Sequence, residues 1–522
     1  MDSNSQDSSL TNNNESIKEM ERRTSNKSED NEPHGESQPN LNPEKAPEPL
    51  YSILTKREKY YLSLLLASSG VWSTLSTSIY FPALSILSKD FVVSSAITNI
   101  SVVAYLLFQG IAPTLVAPIA DAFGRRPMTI ACLLCYCAVC IGLARTNVYW
   151  LLVVLRLFQA GAIAPIVSVS TGVVGDICPR AERGSFIGIV TGIQLVGQGF
   201  GALIGAGVVS RFGWRGIFYL LAIGSGLVLV LVLLLLPETN RSIVGNMSIP
   251  PTSFFNKSPV THFPNISKRL TNDITTMTES NVKLSSIISP LKIFFQFKVF
   301  FILLPSGILF ASWTMALTTF STALADDYGY TIVHVGLCYL APGIGALIGA
   351  LISGRILNYI YKSRKDKYEK EIESLPKEEV KPFNIYKTRL NVCLIPSLIS
   401  CASYVVFGWC IRYKVNIAPA LIASFIFSFC VVTVMSAIMT LLVDLFPNQS
   451  SAGISCVNLM RCLLGAAGVG ALQSMVDAMG EGGCYTLMAG FSLIGTIILY
   501  FIVEHESKRI MKNDDNENNH DS

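Results

Sequence analysis

Charge is scarce in this sequence. Only 15% of its 522 residues are Asp, Glu, Lys or Arg, against about a quarter in an ordinary soluble chain, so a solvated globule of this length is excluded. The net charge of +4 is too small for a nucleic-acid footprint. Histidine is rarer still, with 5 copies, and the 13 cysteines fall almost entirely inside apolar runs. Cys132, Cys135, Cys137 and Cys140 share one such run with no His or carboxylate beside them. A metal centre there would leave thiolates facing lipid, so these are read as small apolar fillers, and no metal or other cofactor is expected. The apolar runs hold no nucleophile paired with a base, which argues against an enzyme. No cleavable leader precedes the first run, which begins near residue 60 behind a hydrophilic stretch and is expected to be an uncleaved span.

What the sequence has in abundance is apolar length. Half of it is hydrophobic, the mean hydropathy is +0.46, and a membrane crossing takes about 20 residues. Apolar runs occur near 60–84, 97–119, 128–144, 148–170, 185–209 and 216–236, and again near 299–322, 334–354, 391–410, 418–442, 451–473 and 485–502. The expectation is an all-α membrane protein of twelve transmembrane helices in two pseudo-symmetric six-helix bundles. Residues 1–50 read as a disordered tail, 51–237 as the first bundle and 238–296 as a central loop. Residues 297–504 form the second bundle, with a charged loop at 355–389 that suits a surface helix, and 505–522 are a tail. Faint internal echoes support a duplication: Trp72 and Trp313 lie in similar surroundings, and Tyr105 with Gly110 resembles Tyr339 with Gly343. Of the 40 Lys and Arg residues, 31 fall in the tails and alternate loops on one side and 6 on the other. The positive-inside rule then places both termini and the long loops in the cytoplasm.

The spans are short of more than charge in general. None contains Asp, Glu or Lys, and the one His, His334, stands at a span edge, so Arg156 and Arg461 are the only charges well inside. An intramembrane arginine costs a few kcal/mol or more unless it meets a partner or a wet cavity, which marks both as functional candidates. Two arginines without in-span acids make the cavity potential positive and favour neutral amphipathic compounds or organic and amino-acid-like anions over purely cationic ones. A proton-coupled cycle would need a carboxylate at a span end: Asp121, Asp176, Asp444, or the pair Asp326 and Asp327. Asp176 and Asp444 both sit in Asp-x-x-Pro steps after a fourth span of six, as repeat equivalents would.

Several motifs sharpen this. Ala117-Pro118-Ile119-Ala120-Asp121-Ala122-Phe123-Gly124-Arg125-Arg126-Pro127 resembles the loop signature of the major facilitator superfamily, Gly-x-x-x-Asp-Arg/Lys-x-Gly-Arg-Arg, with Ala117 and Ala122 departing from it. The resemblance implies a latch of Asp121, Arg125 and Arg126. Arg156-Leu157-Phe158-Gln159-Ala160-Gly161 is similar to the superfamily's Arg-x-x-Gln-Gly motif, implying a part for Arg156 and Gln159 in proton transfer. Gly197-Gln198-Gly199-Phe200-Gly201-Ala202-Leu203-Ile204-Gly205-Ala206 resembles the exporters' antiporter motif, with Gly197, Gly201 and Gly205 as packing positions and Ala202 replacing its proline. Ile79 to Leu84, Asp176 to Gly184, and Pro237-Glu238-Thr239-Asn240-Arg241 are similar to the fungal drug:proton antiporters with twelve spans, in the subgroup tied to resistance to quinidine, azoles and weak acids. That resemblance implies proton-driven multidrug efflux by alternating access at the plasma membrane, with the vacuolar membrane as the other location. A symporter or facilitator of nutrients is the alternative on the same fold. Asp121, Arg125, Arg126, Arg156, Gln159, Asp176 and Arg461 are the coupling and gating candidates. Trp72, Gln109, Gln198, Trp313 and Tyr339 are the substrate-binding candidates. The expected partners are a small-molecule substrate, protons and the lipid bilayer, with the chain acting as a monomer.

Overall fold

The computed structural model describes residues 51–251, 253–262, 269, 285–374, 384–446 and 450–518. The tail expected at 1–50 and the middle of the central loop lie outside them. Among the described residues, ten helices are long and apolar enough to cross a membrane. Two of these, Glu182–Leu235 and Gly453–Glu506, have 54 residues each. At about 1.5 Å per residue each is roughly 80 Å of helix, over twice the hydrocarbon thickness of a bilayer. Both break once. Gly213 (φ 67°, ψ −179°) and Gly480 (φ 72°, ψ 170°) leave the helical region, a conformation that glycine adopts without steric cost. The ten helices therefore make twelve spans.

Span one, Lys56–Ser78, starts from a capping box in which Thr55 and Glu58 exchange side-chain and backbone hydrogen bonds. Span two, Ser95–Phe123, is capped by Ser94 and contains Pro113 and Pro118. Span three is Arg125–Arg145, span four Tyr149–Ile177, and spans five and six lie before and after Gly213. Span seven, Phe297–Thr322, is followed by span eight from Ile332, then span nine, Ile385–Arg412, and span ten, Ile417–Leu445. Spans eleven and twelve flank Gly480. The charged stretch after span eight is helical to Ser374, in one piece with the span, and Lys365 pairs with Glu369 one turn on at 3.5 Å. Residues 375–383 of that expected loop lie outside the described set.

Span five is a two-faced plank. A side chain on Gly197 would meet Thr74 and the Val71 carbonyl of span one, one on Gly201 would meet Ser78, and one on Gly205 would collide with the Ile79 carbonyl. The Thr74 and Ser78 hydroxyls donate to the carbonyls of Gln194 and Gly197 across this contact. Gly199, on the opposite face, meets the backbone of Gly343 in span eight. Small residues thus bring one helix against partners in both six-helix halves. The other long inter-half contact runs between spans two and eleven, where Gly110 abuts Cys462.

The spans have a near end, where Lys56 begins span one and Asp121 ends span two, and a far end opposite. At the far end the halves are tied by Ser321 Oγ donating to the Phe81 carbonyl at 2.6 Å, by Lys89 and Asp326 at 3.2 Å, and by Phe81 stacked on Tyr339 at 6.2 Å. All thirteen cysteines are free. Cys178, just past span four, is buried, which pushes its thiol above the ordinary pKa.

Candidate functional site

Gly124 (φ 116°) turns the chain from span two into span three in a single residue. Asp121 is thereby set one turn before Arg125, and the two form an ion pair. Arg125 Nε also donates to Asp176 Oδ2 at 3.1 Å, joining the end of span four. Arg126 is buried and turns the other way, donating to the carbonyls of Val232, Leu233 and Leu236. It closes the last turn of span six, where carbonyls run out of helical partners, and at Val232 it shares the acceptor with the Leu236 N–H. The hub of the cluster is Glu238. Its carboxylate accepts the backbone N–H groups of Arg125, Arg126, Thr239 and Asn240 at 2.9–3.2 Å. The first two belong to a helix N-terminus, where negative charge is stabilised. Arg241 donates to the carbonyls of Asp176 at 3.0 Å and Tyr51 at 2.6 Å and lies 3.6 Å over the Tyr51 ring. The structure thus brings Asp121, Arg125, Arg126 and Asp176 together, around a glutamate for which the sequence suggested no role. Its signal was the Pro-Glu-Thr step directly after an apolar run.

The second half carries a reduced copy. Arg389, at the start of span nine, donates through Nε to Asp444 Oδ2 at 3.0 Å at the end of span ten, and it lies over Tyr361 at 4.3 Å. Asp444 stands 268 positions after Asp176, and Glu506 stands 268 after Glu238. Glu506 is buried, but its partner is Lys298, at 2.9 Å.

Arg156 sits inside the first half, 1% exposed. Its guanidinium lies between the rings of Tyr80 and Tyr105, at 4.0 and 4.1 Å, and donates to Gln159 Oε1 at 2.7 Å. Gln159 in turn donates to the Cys140 sulfur. Stacking on two aromatic faces with a side-chain hydrogen bond offsets much of the cost of a buried cation. Tyr80 and Tyr105 are themselves held by Ser101 and the Ser73 carbonyl. Arg461 is different: it is half-buried, and its Nε donates to Asn458 Oδ1 at 2.9 Å.

Between the halves lies a small cavity of about 30 Å³, lined by Thr77, Phe81, Gln198, Phe310, Trp313 and Tyr339 among others. Spans one, five, seven and eight all contribute. Of the five substrate candidates, Gln198, Trp313 and Tyr339 face it. Trp313 is fixed by a hydrogen bond to Ser428 in span ten at 2.9 Å, and the Tyr339 hydroxyl is already committed to the Leu317 carbonyl. Trp72 goes elsewhere. Its ring occupies the slot left by Gly224 in span six, because the side chain that would fill that space is missing, so the two tryptophans do not converge. Gln109 sits beside the cavity rather than on its wall, donating to Thr77 Oγ1 at 3.3 Å. Phe81 and Phe310 are lining residues that the sequence did not single out.

Residues 66–469 match the Major Facilitator Superfamily. The chain belongs to that superfamily. It is 48% identical over 460 residues to the MFS antiporter QDR2 of Candida albicans, covering 88% of this chain and 91% of the relative. It is 36% identical over 491 residues to the quinidine resistance protein 1 of Saccharomyces cerevisiae, covering 89% and 87%. Among solved structures it is similar to the Escherichia coli xylose transporter XylE in a partially occluded inward open conformation, with a TM-score of 0.60, 14% identity, and coverage of 85% and 97%. The human organic anion transporter MFSD10 aligns with a TM-score of 0.55 at 14% identity, covering 84% and 99%. At such identities these two show the fold alone. The superfamily assignment makes the chain a multi-pass membrane transporter, not an enzyme, and its twelve spans are the superfamily's two six-helix halves.

Proposed function

We propose that this transporter exports small amphipathic molecules, drugs among them, by proton antiport with alternating access. The observation that carries the reading is the cavity that both halves build and that side-chain ties close at the far end. Drug-sized ligands need about 300–1,000 Å³, so a cavity of about 30 Å³ must be enlarged by moving one half against the other. The names of the relatives, antiporters and a quinidine resistance protein, point the same way. The excess of Lys and Arg beside the near end supports a cytoplasmic placement of that end and of both termini, in the plasma membrane. The chain then stands closed to the outside.

With no carboxylate in mid-span, the proton-carrying groups are the near-end carboxylates Asp176 and Asp121, both paired with Arg125. Protonation of either would weaken the ion pairs that hold spans two, three and four together. Arg156 with Gln159 braces the first half from within, and Gly197, Gly201 and Gly205 hold span five close against span one. No cofactor beyond the proton gradient enters this cycle, and a single chain contains every part of it.

The test is flux in sealed vesicles containing the purified protein, with an imposed pH gradient. Counter-flow of substrate that follows the gradient, stops with an uncoupler, and falls at least about tenfold in Asp176→Asn is the expected result. Flux indifferent to the gradient in the wild type would sink antiport and leave a facilitator.

A further inference from the structure

The two arginines inside the membrane are not equivalent. Arg156 is fully buried and sandwiched between two rings. Arg461, in span eleven, is half-buried and has no carboxylate partner among the described residues. Its contacts are the neutral amide oxygen of Asn458 at 2.9 Å, the Cys462 thiol and the ring of Phe310 at 5.1 Å. Phe310 also lines the inter-half cavity, so the positive charge stands one side chain from it, behind the Phe310 ring. Its aim is fixed from across the molecule: Asn458 Nδ2 donates to the backbone carbonyl of Gln109 in span two at 2.8 Å, so one amide orients the arginine and joins the two halves. A guanidinium with five N–H donors that is held by two neutral partners keeps further donors for an anion, and a planar fork is well matched to a carboxylate or sulfonate. The cavity that begins at Phe310 is also walled by the aromatic rings of Trp313 and Phe81.

We infer that Arg461 is the residue that sets the charge preference of the transported molecules, forming an anion subsite with Asn458 and Phe310 that takes the carboxylate or sulfonate of an aromatic organic anion. The cavity alone would accept apolar and aromatic groups of either charge; the arginine attracts one sign and repels the other. This deepens the transport reading above and rests on it only where flux is measured. Arg156 has no such role, because its faces are covered by Tyr80 and Tyr105.

The experiment uses the full chain and two permanently charged probes of similar shape, 2-naphthalenesulfonate and trimethyl(2-naphthyl)ammonium. Binding is measured by equilibrium dialysis in detergent, where no gradient is needed, and KM and maximal flux are measured in vesicles. Arg461→Gln is expected to weaken sulfonate binding at least about tenfold, the usual scale for loss of one charge-assisted contact, and to tighten binding of the ammonium probe. Its effect on sulfonate flux should appear in KM, as expected for an interaction made with bound substrate. Arg461→Lys should hold sulfonate binding within about threefold. Equal weakening of both probes in Arg461→Gln, or a fall in maximal flux for both, would make the arginine a structural or cycle residue and overturn the inference. So would a wild type that binds the sulfonate no better than the ammonium. If flux ignores the pH gradient while the charge preference reverses, antiport falls and the subsite stands; if flux follows the gradient and the preference does not reverse, the subsite falls and antiport stands.

Discussion

The two halves share a plan but are fastened differently. Where span five packs on span one, and in the near-end cluster of the first half, close contacts are made with backbone: Gly205 against the Ile79 carbonyl, Gly197 against that of Val71, Glu238 on four backbone N–H groups, Arg126 on three carbonyls. In the second half the corresponding glycines of spans seven and eleven meet side chains: Gly307 meets Leu464, Gly465 meets Phe310, and Gly468 meets the Met315 sulfur. Asp444 has one arginine, and Glu506 has one lysine with the His505 ring beside it at 3.7 Å. Backbone cannot yield without moving a helix, whereas the end of a Leu or Met side chain can change rotamer. The contact of span five with span one is thereby stiffer than that of span eleven with span seven, although span eight also meets backbone, with Gly345 and Gly349 against the Phe425 and Phe429 carbonyls of span ten, and this suits a cycle in which spans seven and eleven repack.

The comparison breaks most visibly at the paired glutamates. Glu238→Ala leaves four backbone donors without their acceptor, an expected loss of about 3–5 kcal/mol, whereas Glu506→Ala removes one partly exposed ion pair, about 1 kcal/mol. Thermal unfolding of the two variants in the same detergent should separate them clearly, and equal midpoints would remove the asymmetry. A smaller contrast is expected between glycines. Gly205→Ala puts a methyl against a carbonyl and should cost about 3 kcal/mol, the upper end for overpacking, while Gly468→Ala meets a movable sulfur and should cost less than about 1 kcal/mol. Protease resistance of the folded protein reports both. The smallest contrast lies between the repeat-related aspartates. Asp176→Asn should slow transport more than Asp444→Asn by a factor of about three to ten, because Asp176 belongs to a network reaching Asp121 and Arg241; the reverse order would place the moving latch in the second half.

Much of this architecture was legible in the sequence because hydropathy reports lipid contact directly. The breaks at Gly213 and Gly480 fall where the apolar runs were divided. The link of Asp176 with Asp444 is visible as a shared Asp-x-x-Pro step, and each does face an arginine at the start of the preceding span. The central part of the latch was less visible, since Glu238 meets Arg125 across 113 positions, a separation that no local pattern encodes. Trp72 shows the same limit from the other side. Its surroundings in sequence match those of Trp313, yet the glycine that captures it lies in span six, and the decision between lining a cavity and filling a slot is made by that distant absence.

The one-residue turns at Gly213 and Gly480 also constrain how the protein is made. A single residue reaches less than about 4 Å, far short of a bilayer core of about 30 Å, so neither span five nor span eleven can reach its final position while its successor waits on the side of origin. Each pair must enter the membrane as a hairpin, committed together by one glycine, and a lesion that stalls the second arm during synthesis strands the first.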